Sequence, residues 1–301
     1  MIGIAIINYR TYKKTIECID SIKATMREPY RIYLLENGSQ NESEKELEKK
    51  YSTDPYVKLI ISKTNEGYAR GNNICFRYMK QDNCEMGVVS NNDIICHNNT
   101  ISMLIENLRK DSSILLVGPK IISPEGEFQK SIQMEEVKGL KYLLYSSYIG
   151  KYIYGSQMRK DNEDALKLDS LTEVAWVSGA FFAFSMKNME KIDYFDPETF
   201  LFFEEKILAY KAKKYKMKLM YNPIVEVVHY HAYSTGGALN IISKIAADQS
   251  ERYYFIQYVK SSKLFLTLLM LQRIVEVVYS FGKRKNFIAI KKYIVEMRKK
   301  V

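Results

Sequence analysis

The feature that most constrains this chain is the alternation, over residues 1–120, of short apolar runs rich in β-branched residues with stretches of helical periodicity. The runs, which we predict to be strands, occupy residues 2–8, 31–36, 57–62, 87–91 and 115–120. Each run is apolar enough to be buried on both faces of a sheet, as parallel strands joined by crossover helices are. The sequence therefore predicts an α/β fold with a mostly parallel, Rossmann-like central sheet flanked by helices.

Helical periodicity is clearest in the first crossover segment, where apolar side chains recur every three or four positions at Tyr12, Ile16, Ile19 and Ile22. This spacing predicts a helix that lays one apolar face on the sheet. Thr11, directly before it, is the predicted N-cap.

A second structured block is expected after residue 171. It carries a predicted strand at residues 174–178, a helix that begins near Glu204, and two strands near residues 218–221 and 225–228. Residues 130–171, between the two blocks, are rich in Tyr, Lys and Ser and show no clear period, so we expect a mobile or acceptor-facing segment there.

The chain has 301 residues, of which 47% are hydrophobic and 27% charged, enough for one substantial core and a smaller appendage. We predict an α/β domain over residues 1–236, whose first half ends at residue 95, and a helical extension over residues 237–301. The four cysteines form no CxxC pair, which favours a reducing cytosol. The apolar start lacks a basic lead and a cleavage site, so we interpret it as a strand and not as a signal peptide.

Ligands of open α/β sheets bind at the carboxyl ends of strands, and polar clusters follow four of the predicted strands. The clusters are Asn8-Tyr9-Arg10, Glu36-Asn37-Gly38-Ser39, residues 65–73 and Ser90-Asn91-Asn92-Asp93. In the second cluster, the Glu36 carboxylate can accept a hydrogen bond from a nucleobase or a ribose. The Asn37-Gly38 pair also suits a hairpin turn, but the residues after it have a helical pattern and do not return as a strand.

The third cluster combines glycines with a cation. Gly67 and Gly71 allow close approach of the backbone to a ligand, and Arg70 can meet a phosphate. A helix beginning near Asn72 would point its N-terminus at an anion. A flexible loop that caps a helix explains the same residues without a ligand.

The fourth cluster places an amide oxygen and a carboxylate two residues apart, at Asn91 and Asp93, after a buried strand. Oxygen ligands of this kind suit a hard divalent cation that holds a diphosphate. Taken alone, the same tripeptide is more typical of a solvated loop.

In order and spacing, these clusters resemble the motifs of family 2 glycosyltransferases, and most of all those of rhamnosyltransferase-like members. The matching motifs are Asn8-Tyr9, Leu35-Glu-Asn-Gly-Ser39, Asn65-x-Gly-Tyr-Ala-x-Gly-Asn-Asn73, Asn91-Asn-Asp93, Val177-Ser-Gly-Ala180, Phe195-Asp-Pro, Phe202-Phe-Glu-Glu205 and Val228-His229 with Ser234. The resemblance extends over residues 2–234. It implies a GT-A fold, with a nucleotide-binding half at residues 1–95 and an acceptor half at residues 96–236.

The resemblance also implies an inverting glycosyltransferase that uses Mg²⁺ or Mn²⁺. Asn91 and Asp93 stand at the family's metal motif, and His229 matches a late histidine that completes the metal shell or contacts the diphosphate; His231 is the neighbouring alternative. Such an enzyme moves a sugar from a nucleotide-sugar donor to a hydroxyl of a glycan or lipid-linked glycan, in cell-surface polysaccharide synthesis. The implied donor is dTDP-rhamnose or a UDP-sugar.

For catalysis, the resemblance assigns the general base to Glu205, with Glu204 shaping its pocket. The residues it assigns to the nucleotide sugar are Asn8, Tyr9, Arg10, Glu36, Asn65, Gly67, Arg70, Asn73, Asn91, Asn92, Trp176 and Gly179. Two acids at the start of a helix also complement the helix dipole, so a purely structural role explains the same pair of residues. The chain departs from the family where Glu36 and Glu205 replace Asp, Arg10 replaces Asn, and Ile207 replaces a second acid. Isoleucine cannot make the polar contact with the acceptor that an acid at position 207 could make.

The C-terminal extension is basic as well as apolar. The last 51 residues hold eight Lys and four Arg against three Glu, so most of the net charge of +10 lies there. Its apolar run at residues 264–271 is followed by Gln272, Arg273 and Glu276, which interrupt it, so we predict no transmembrane segment. Basic residues such as Lys283, Arg284, Lys285, Lys291 and Lys292 suit an anionic membrane surface. A homodimer through these helices, or a merely solubilising tail, is the alternative.

Two other classes of function compete. A nucleic-acid-binding protein fits the sequence pI of about 9.1 and the 24 Tyr, but no nucleic-acid motif is recognised, and basic residues do not alternate with aromatics along one sheet face. A nucleotidyltransferase would need a glycine-rich phosphate loop near the N-terminus, which residues 10–14 do not supply. We therefore expect a cytoplasmic enzyme, peripheral at the inner face of the plasma membrane, with no nucleic-acid partner.

Overall fold

All five strands predicted for residues 1–120 are present in the structure, a computed structural model that describes residues 1–230, 240–283 and 286–298, without the side chains at 148, 149, 151 and 158–161. The strands are β1 (Ile2–Asn8), β2 (Tyr30–Asn37), β3 (Val57–Ser62), β4 (Met86–Asn91), β5 (Ile94–Cys96), β6 (Ile114–Ile122), β7 (Ile132–Gln133), β8 (Thr172–Glu173), β9 (Trp176–Val177), β10 (Phe181–Ser185) and β11 (Lys218–His229). The helices are α1 (Tyr12–Thr25), α2 (Ser43–Tyr51), α3 (Gly67–Gln81), α4 (Thr100–Lys110), α5 (Gly139–Ser146), α6 (Tyr148–Ile153), α7 (Gly155–Leu166), α8 (Met186–Lys191), α9 (Glu204–Lys214), α10 (Ile241–Gln257), α11 (Lys263–Gly282) and α12 (Phe287–Met297).

Nine of the strands form one central sheet in the order β3-β2-β1-β4-β10-β6-β11-β5, with β8 paired to β11. The neighbours β3, β2, β1 and β4 are parallel, as are β6 and β11, whereas β10 runs antiparallel between β4 and β6. The predicted α/β class and mostly parallel sheet are confirmed. Asn8 lies opposite Glu36, and Ile7 lies opposite Asn91, so the predicted polar clusters share one edge of the sheet.

Helices cover both faces of the sheet, and each face has its own apolar core. On one face, α1, α2 and α4 bury side chains such as Ile19, Leu47 and Leu104 against the strands. On the other face, α3, α8 and α9 do the same with side chains such as Phe76 and Leu208. This arrangement explains the two-sided hydrophobicity of the strand sequences. All four cysteines are buried free thiols.

The structure differs from the sequence-based expectations at the ends and junctions of elements. Helix α3 begins at Gly67, so the start predicted near Asn72 is wrong, and the glycine cluster forms the first helical turn. The strand predicted at residues 174–178 is reduced to the two residues of β9, which pairs with β7. The two strands predicted at residues 218–221 and 225–228 are one strand, β11, whose pairing is interrupted between Asn222 and Glu226, around Pro223.

Residues 130–171, for which the sequence predicted no regular elements and a mobile or acceptor-facing segment, contain β7 and the helices α5, α6 and α7. Helix α5 buries Tyr142 and Leu143 in a small core with α9, α10 and α11. The sequence did not reveal these elements because they are short, and because the apolar residues that stabilise α5 are supplied by helices more than 60 residues away in the sequence.

The C-terminal helices α10, α11 and α12 pack on one another and on α5, and their core includes Ile207 of α9. A buried ionic group holds them together, in which Arg273 binds Glu251 through two nitrogen–oxygen contacts of 2.7 Å. Helix α11 is long and apolar enough to cross a membrane by length and composition alone, and 28% of its most apolar stretch is buried within the protein. The predicted domain boundary at residue 236 lies outside the described residues, as do His231, Ser234, Arg284 and Lys285.

Candidate active site

The ends of β1 and β2 are joined by buried hydrogen bonds. Asn8 donates from its amide to the carboxylate of Glu36, and the backbone N–H of Ser39 donates to the other Glu36 oxygen at 2.7 Å. Glu36 is fully buried. In this structure its carboxylate therefore orders the loop after β2, and a contact with a nucleobase stays a prediction.

Asn92 faces α1 and not the open edge of the sheet. Its amide donates to the Thr11 and Thr15 hydroxyls at 2.7 and 2.8 Å, and Thr15 in turn donates to Asn8 at 2.6 Å. Thr11 occupies the predicted N-cap position of α1, but its side chain makes no capping hydrogen bond. Asn92 thus anchors the end of β4 to the end of β1.

Tyr9 and Arg10 lie on the surface beside this network. The Arg10 guanidinium is 4.9 Å from the centroid of the Tyr9 ring, and Arg10 has a left-handed backbone with φ of 65°. The backbone N–H of Arg10 donates to the Ser39 hydroxyl at 2.7 Å. The first and second polar clusters therefore form one continuous surface.

Helix α3 begins against the segment that precedes α9. Gly67 has a φ of 74°, and a Cβ added there would lie 2.4 Å from the carbonyl oxygen of Phe200. The N–H of Tyr68 donates to the same carbonyl at 2.8 Å, while Asn65 accepts from the N–H of Gly67 at 2.9 Å. Glycine is required at position 67 because any side chain would force the two segments apart.

Arg70 and Asn73, further along α3, contact the backbone of residues 195–197. Arg70 donates to the Pro197 carbonyl at 2.7 Å, and its exposed guanidinium lies 3.7 Å from Glu198. Asn73 exchanges two hydrogen bonds with the backbone of Phe195, at 2.9 and 3.2 Å. Both side chains join the two halves of the chain, and their contact with a nucleotide stays a prediction.

Three side chains predicted to meet a metal converge at the ends of β4 and β11. The Nε2 atom of His229 lies 3.2 Å from a carboxylate oxygen of Asp93 and 3.5 Å from the amide nitrogen of Asn91. Asp93 and His229 are both buried. No cluster of three or more His, Cys, Asp or Glu side chains suited to a metal occurs among the residues that the structure describes, so the protein offers two such ligands here, with an amide beside them.

The orientation of His229 is fixed from behind by Gln129. The side-chain amide nitrogen of Gln129 donates to the backbone carbonyl of His229 at 2.8 Å. The side-chain oxygen of Gln129 therefore faces Nδ1 of the His229 ring, at 2.9 Å. A proton on Nδ1 satisfies that oxygen and leaves the Nε2 lone pair directed at Asp93. Two electron-rich atoms then face each other, an arrangement that a divalent cation between them would stabilise. The donor set therefore fits the metal that the fold family implies.

The predicted base lies at the start of α9. Glu205 accepts a hydrogen bond from the N–H of Gly179 at 3.0 Å, and Tyr68 donates from its hydroxyl to the Gly179 carbonyl at 2.6 Å. Burial raises the pKa of Glu205, although hydrogen bonds from backbone N–H groups oppose the shift. A carboxylate with a raised pKa is a stronger proton acceptor than an ordinary one, as a general base requires.

Glu204, its neighbour, is 3% exposed and has no hydrogen-bond partner for its Oε1 atom among the described residues. Burial, reinforced by the charge of Glu205, raises the pKa of Glu204 well above its usual range. Phe202 and Phe203, immediately before this pair, both have left-handed backbones with φ of 70° and 69°. Strain of this kind is typical of functional sites.

The metal-side and base-side residues meet at one short segment. The backbone N–H of Asn91 donates to the carbonyl of Ala180 at 2.8 Å, and the adjacent Gly179 binds Glu205. A Cβ on Gly179 would lie 2.8 Å from the Glu205 carboxylate, so the close approach depends on glycine. Asn91, two residues before Asp93, is thus connected to Glu205 through two consecutive residues, although they are far apart in sequence.

With this geometry established, we compared the chain with known proteins. The sequence profile described as glycosyl transferase family 2 matches residues 3–188, which is more than half of the chain. The chain belongs to this family. The matched range includes Asp93 and ends before Glu204, and this assignment does not favour the nucleic-acid-binding or nucleotidyltransferase alternatives.

Two curated relatives within this family are rhamnosyltransferases. The chain is 22% identical over 246 residues to the N-acetylglucosaminyl-diphospho-decaprenol L-rhamnosyltransferase of Mycobacterium tuberculosis, covering 78% of this chain and 77% of the relative. It is 23% identical over 224 residues to the rhamnosyltransferase WbbL of Escherichia coli, covering 66% and 82%. The rhamnosyltransferase-like resemblance is confirmed.

Solved structures with the same fold are glycosyltransferases. GalNAc-T7 with UDP, GalNAc and Mn²⁺ matches 86% of the chain with a TM-score of 0.62 and 15% identity, and the chain spans about half of its length, 49%. The mannosyltransferase PcManGT from Pyrobaculum calidifontis, in complex with GDP-Man and Mn²⁺, matches 98% of the chain and 73% of its own, with a TM-score of 0.58 and 14% identity. The chain has the GT-A fold.

Sequence reasoning missed residues that act through other residues. Gln129 orients His229, and Tyr68 fixes the carbonyl of the Gly179 segment that receives Glu205. Tyr68 lies inside the glycine motif at residues 65–73, so the motif itself was a signal for it. For Gln129 the sequence carries no comparable signal, because its partner lies 100 residues away.

Proposed function

We propose that this protein is a metal-dependent, inverting glycosyltransferase that uses dTDP-rhamnose or a UDP-sugar. The observation that carries the proposal is the contact of Asn91 and Glu205 with the consecutive residues Ala180 and Gly179, which brings the metal-side and base-side groups to one segment. Family membership supports sugar transfer, and the two rhamnosyltransferase relatives favour rhamnose as the sugar.

Asp93 and His229, with Asn91 beside them, would hold the Mg²⁺ or Mn²⁺ ion. When bound, the ion supplies positive charge beside the diphosphate of the donor. The chain's own contribution is to keep that position fixed: Gln129 holds the His229 ring, and Asp93 accepts no competing cation from Lys or Arg among the described residues.

Glu205 would take the proton from the acceptor hydroxyl as its oxygen attacks the anomeric carbon. One displacement of this kind inverts the configuration at that carbon and releases the nucleoside diphosphate. The Gly179 N–H holds the carboxylate in place, and the Tyr68 hydroxyl holds the Gly179 peptide. The proton that leaves the hydroxyl ends on the Glu205 carboxylate.

The acceptor is a glycan hydroxyl, and we propose that the glycan is linked to a lipid. The M. tuberculosis relative is named for an acceptor of that class. In this chain, α11 exposes an apolar stripe at every third or fourth residue, formed by Leu264, Leu268, Leu271, Val275 and Val278. The exposed lysines Lys283, Lys291 and Lys292 follow this stripe in sequence. An apolar stripe next to positive charge suits an anionic membrane surface, where a lipid-linked acceptor lies.

A screen of nucleotide sugars by thermal shift tests the proposed donor. Ligands that bind the native state raise its melting temperature, so dTDP-rhamnose or a UDP-sugar should do so with Mn²⁺ or Mg²⁺ present, and much less with EDTA. Release of the nucleoside diphosphate in the presence of acceptor then measures turnover. The Asp93→Asn variant should lose the metal-dependent shift; an unchanged shift in this variant would contradict the metal assignment.

A further inference from the structure

A large groove lies between α9 and the C-terminal helices, and its volume is about 980 Å³. Its walls come from α9, from the segment that contains β8 and β9, from α5 and from the end of α10. None of the residues discussed above as metal ligands or base lines it, although Trp176, which the resemblance assigned to the nucleotide sugar, does. The groove is therefore distinct from the site of chemistry, and its own composition indicates what it binds.

One end of the groove adjoins the predicted base. Lys206, which lines the groove, directly follows Glu205, and Trp176, which also lines it, lies three residues before Gly179. Further along α9, Tyr210 and Lys213 line the same wall. With a rise of 1.5 Å per residue, the groove follows α9 for roughly 10 Å from Lys206 to Lys213. A ligand whose reacting sugar is at Glu205 can extend into this groove.

Positive charge dominates the polar lining of the groove. Its lysines are Lys138, Lys206, Lys213, Lys216, Lys218 and Lys260. Lys138 and Lys218 pair with Glu136 and Asp111 at 2.7 and 3.0 Å. Among the described residues, no carboxylate lies within salt-bridge distance of the other four lysines. The lining also includes the carboxylates of Glu136 and Glu173, so six lysines face two acidic residues and the groove carries a net positive charge.

Lys206 is the most buried of these four lysines, and the carboxylates that act on it, those of Glu251, Glu205 and Glu136, lie beyond salt-bridge distance. Its ammonium lies 4.7 Å from the centroid of the Tyr142 ring and 5.0 Å from that of Phe203. Burial lowers the pKa of Lys206. An anion in the groove would restore the electrostatic stabilisation that this amine loses by leaving water.

Six aromatic residues also line the groove. They are Tyr142, Trp176, Tyr210, Tyr254, Phe255 and Tyr258. The rings of Tyr210 and Tyr258 contact each other edge to face, with centroids 5.2 Å apart. The lining ends at Val259 and Lys260, and α11, whose apolar stripe begins at the 71% exposed Leu264, starts three residues later. An apolar chain leaving the groove here would continue onto that stripe.

We propose that this groove binds the diphosphate and the first part of the hydrocarbon chain of a lipid-diphosphate-linked acceptor. The inference rests on the proposed function, since it assigns the acceptor of the same reaction. Unpaired lysines match the diphosphate, the aromatic walls match the hydrocarbon, and the adjacent Glu205 receives the sugar hydroxyl. The ligand class is an amphiphile with two phosphates between a sugar and a hydrocarbon.

The chain contains a single tryptophan, and Trp176 lines the groove, so intrinsic fluorescence reports binding directly. The probe is farnesyl diphosphate, which has the diphosphate and the hydrocarbon but no sugar, in EDTA so that the donor site cannot hold it through a metal. We expect a saturable change in emission. Farnesol has only the hydrocarbon and inorganic diphosphate has only the phosphates, so each should bind at least tenfold more weakly than farnesyl diphosphate.

The paired variant Lys213→Glu/Lys216→Glu reverses the charge of two groove lysines that have no salt-bridge partner among the described residues. It should weaken the binding of farnesyl diphosphate at least tenfold. The matched control is Lys214→Glu, on the same exposed end of α9 but outside the lining, which should leave binding within twofold. Equal loss in both variants, or no loss in the paired variant, overturns the proposal. Equal binding of inorganic diphosphate also overturns it, since that result shows a simple anion site.

Failure of the proposed function is distinguishable from failure of this inference. Donor turnover without acceptor, measured as slow release of nucleoside diphosphate, does not use the groove. If the paired variant keeps that release while losing farnesyl diphosphate, both proposals are supported. If release from every donor is absent in the unmodified protein while the probe still binds, the groove assignment stands and the transferase assignment fails.

Discussion

At the scale of single residues, the candidate site combines buried carboxylates that have very different surroundings. Glu36 is fully buried, with both oxygens hydrogen-bonded, whereas Glu204 is almost as buried and has an oxygen with no described partner. Glu205, between these extremes, holds one hydrogen bond from Gly179. A carboxylate that serves as a base has to remain free to accept a proton, so Glu205 fits that function better than Glu36 does.

Glu205→Gln tests the assignment of the base. Glutamine keeps the size of the side chain but cannot accept the acceptor's proton, so transfer should fall about a hundredfold or more. In the unmodified enzyme, activity should rise with pH through the raised pKa of Glu205, because only the ionised form is a base. Steady-state kinetics with donor titration measure both. Donor affinity should survive the change, and unchanged turnover would refute the assignment.

Glu204→Gln should stabilise the protein at pH 7. The folded-state pKa of Glu204 is raised above the ordinary value of 4.5. The stability that protonated Glu204 contributes is therefore fully present below pH 4.5 and is lost as the pH rises above it. Removing the charge should raise the free energy of unfolding at pH 7 by about 1 kcal/mol or more and flatten its dependence above pH 4.5. Urea denaturation at several pH values measures this. Glu198→Gln, at a 60% exposed side chain, should change stability by less than about 0.5 kcal/mol.

Sequence reasoning at this scale singled out Asp93 and His229, because a strand end and a family motif coincide at each, and the structure brings the two side chains within 3.2 Å of each other. It also placed Asn73 and Arg70 among donor ligands, which stays a prediction; the structure shows them bound to the backbone near Phe195 and Pro197. Such side chains are polar and lie in a motif, and only the tertiary structure shows which backbone they meet. The same limit hid Gln129.

At the scale of secondary-structure elements, the helices α10 and α11 are joined to α5 by a buried ionic group. Arg273 of α11 is 7% exposed and Glu251 of α10 is 3% exposed, and their two contacts are supplemented by Tyr142 of α5, which donates to Glu251. Each buried charge loses its solvation by water, and its oppositely charged partners must compensate for that loss. Removing one member of the group therefore destabilises the protein. The ionic group therefore fixes how the extension sits on the domain.

Arg273→Met should lower the free energy of unfolding by about 3–5 kcal/mol, because it leaves Glu251 buried and without its cation. Adding Glu251→Gln should recover much of that loss, since the uncompensated charge is then gone. Chemical denaturation of the single and double variants measures the difference. Lys110→Met, at a pair whose side chains are 68% and 60% exposed, is the control and should cost less than about 1 kcal/mol. A similar cost at both sites would contradict the account.

The sequence predicted elements well where one strong period runs through a whole segment. The strands β1, β2, β3, β4 and β6 and the helix α1 are cases of this kind, since their apolar residues pack on neighbouring strands and helices of the same sheet. The helices α5 to α7 were not predicted, because they are short and α5 is stabilised by Phe255 and Leu269 from distant helices. The interruption of β11 near Pro223 was interpreted as a break between two strands, although the pairing with β6 resumes beyond it.

At the scale of the whole molecule, charge and apolar surface are concentrated at the C-terminal helices. Ile288 of α12 is 84% exposed and Val275 of α11 is 67% exposed, a degree of exposure that a soluble helix normally avoids on a continuous face. The excess of Lys and Arg in the same region gives this face a positive border. Membrane association through it remains our proposal.

Leu271→Glu/Val275→Glu should abolish flotation with anionic liposomes, because it places two negative charges on the stripe that would enter the lipid headgroups. The control Ile224→Glu changes an equally exposed apolar residue on β11 and should float as the unmodified protein does. Flotation assays at low and physiological salt measure both variants. Unchanged flotation of the paired variant would contradict membrane binding through the stripe. If the unmodified protein is instead a dimer without lipid, and the paired variant is a monomer, the stripe contacts a second subunit.

The central claim is that Asp93 and Glu205 belong to one cleft around a cation-bound diphosphate. Anomalous diffraction from crystals grown with Mn²⁺ and an unreactive donor analogue tests it most directly. The account predicts a manganese peak in coordinating contact with Asp93 and the His229 Nε2 atom, with the anomeric carbon of the sugar facing Glu205. A manganese ion bound to neither residue, or a sugar whose anomeric carbon lies more than one ring length from Glu205, would contradict it.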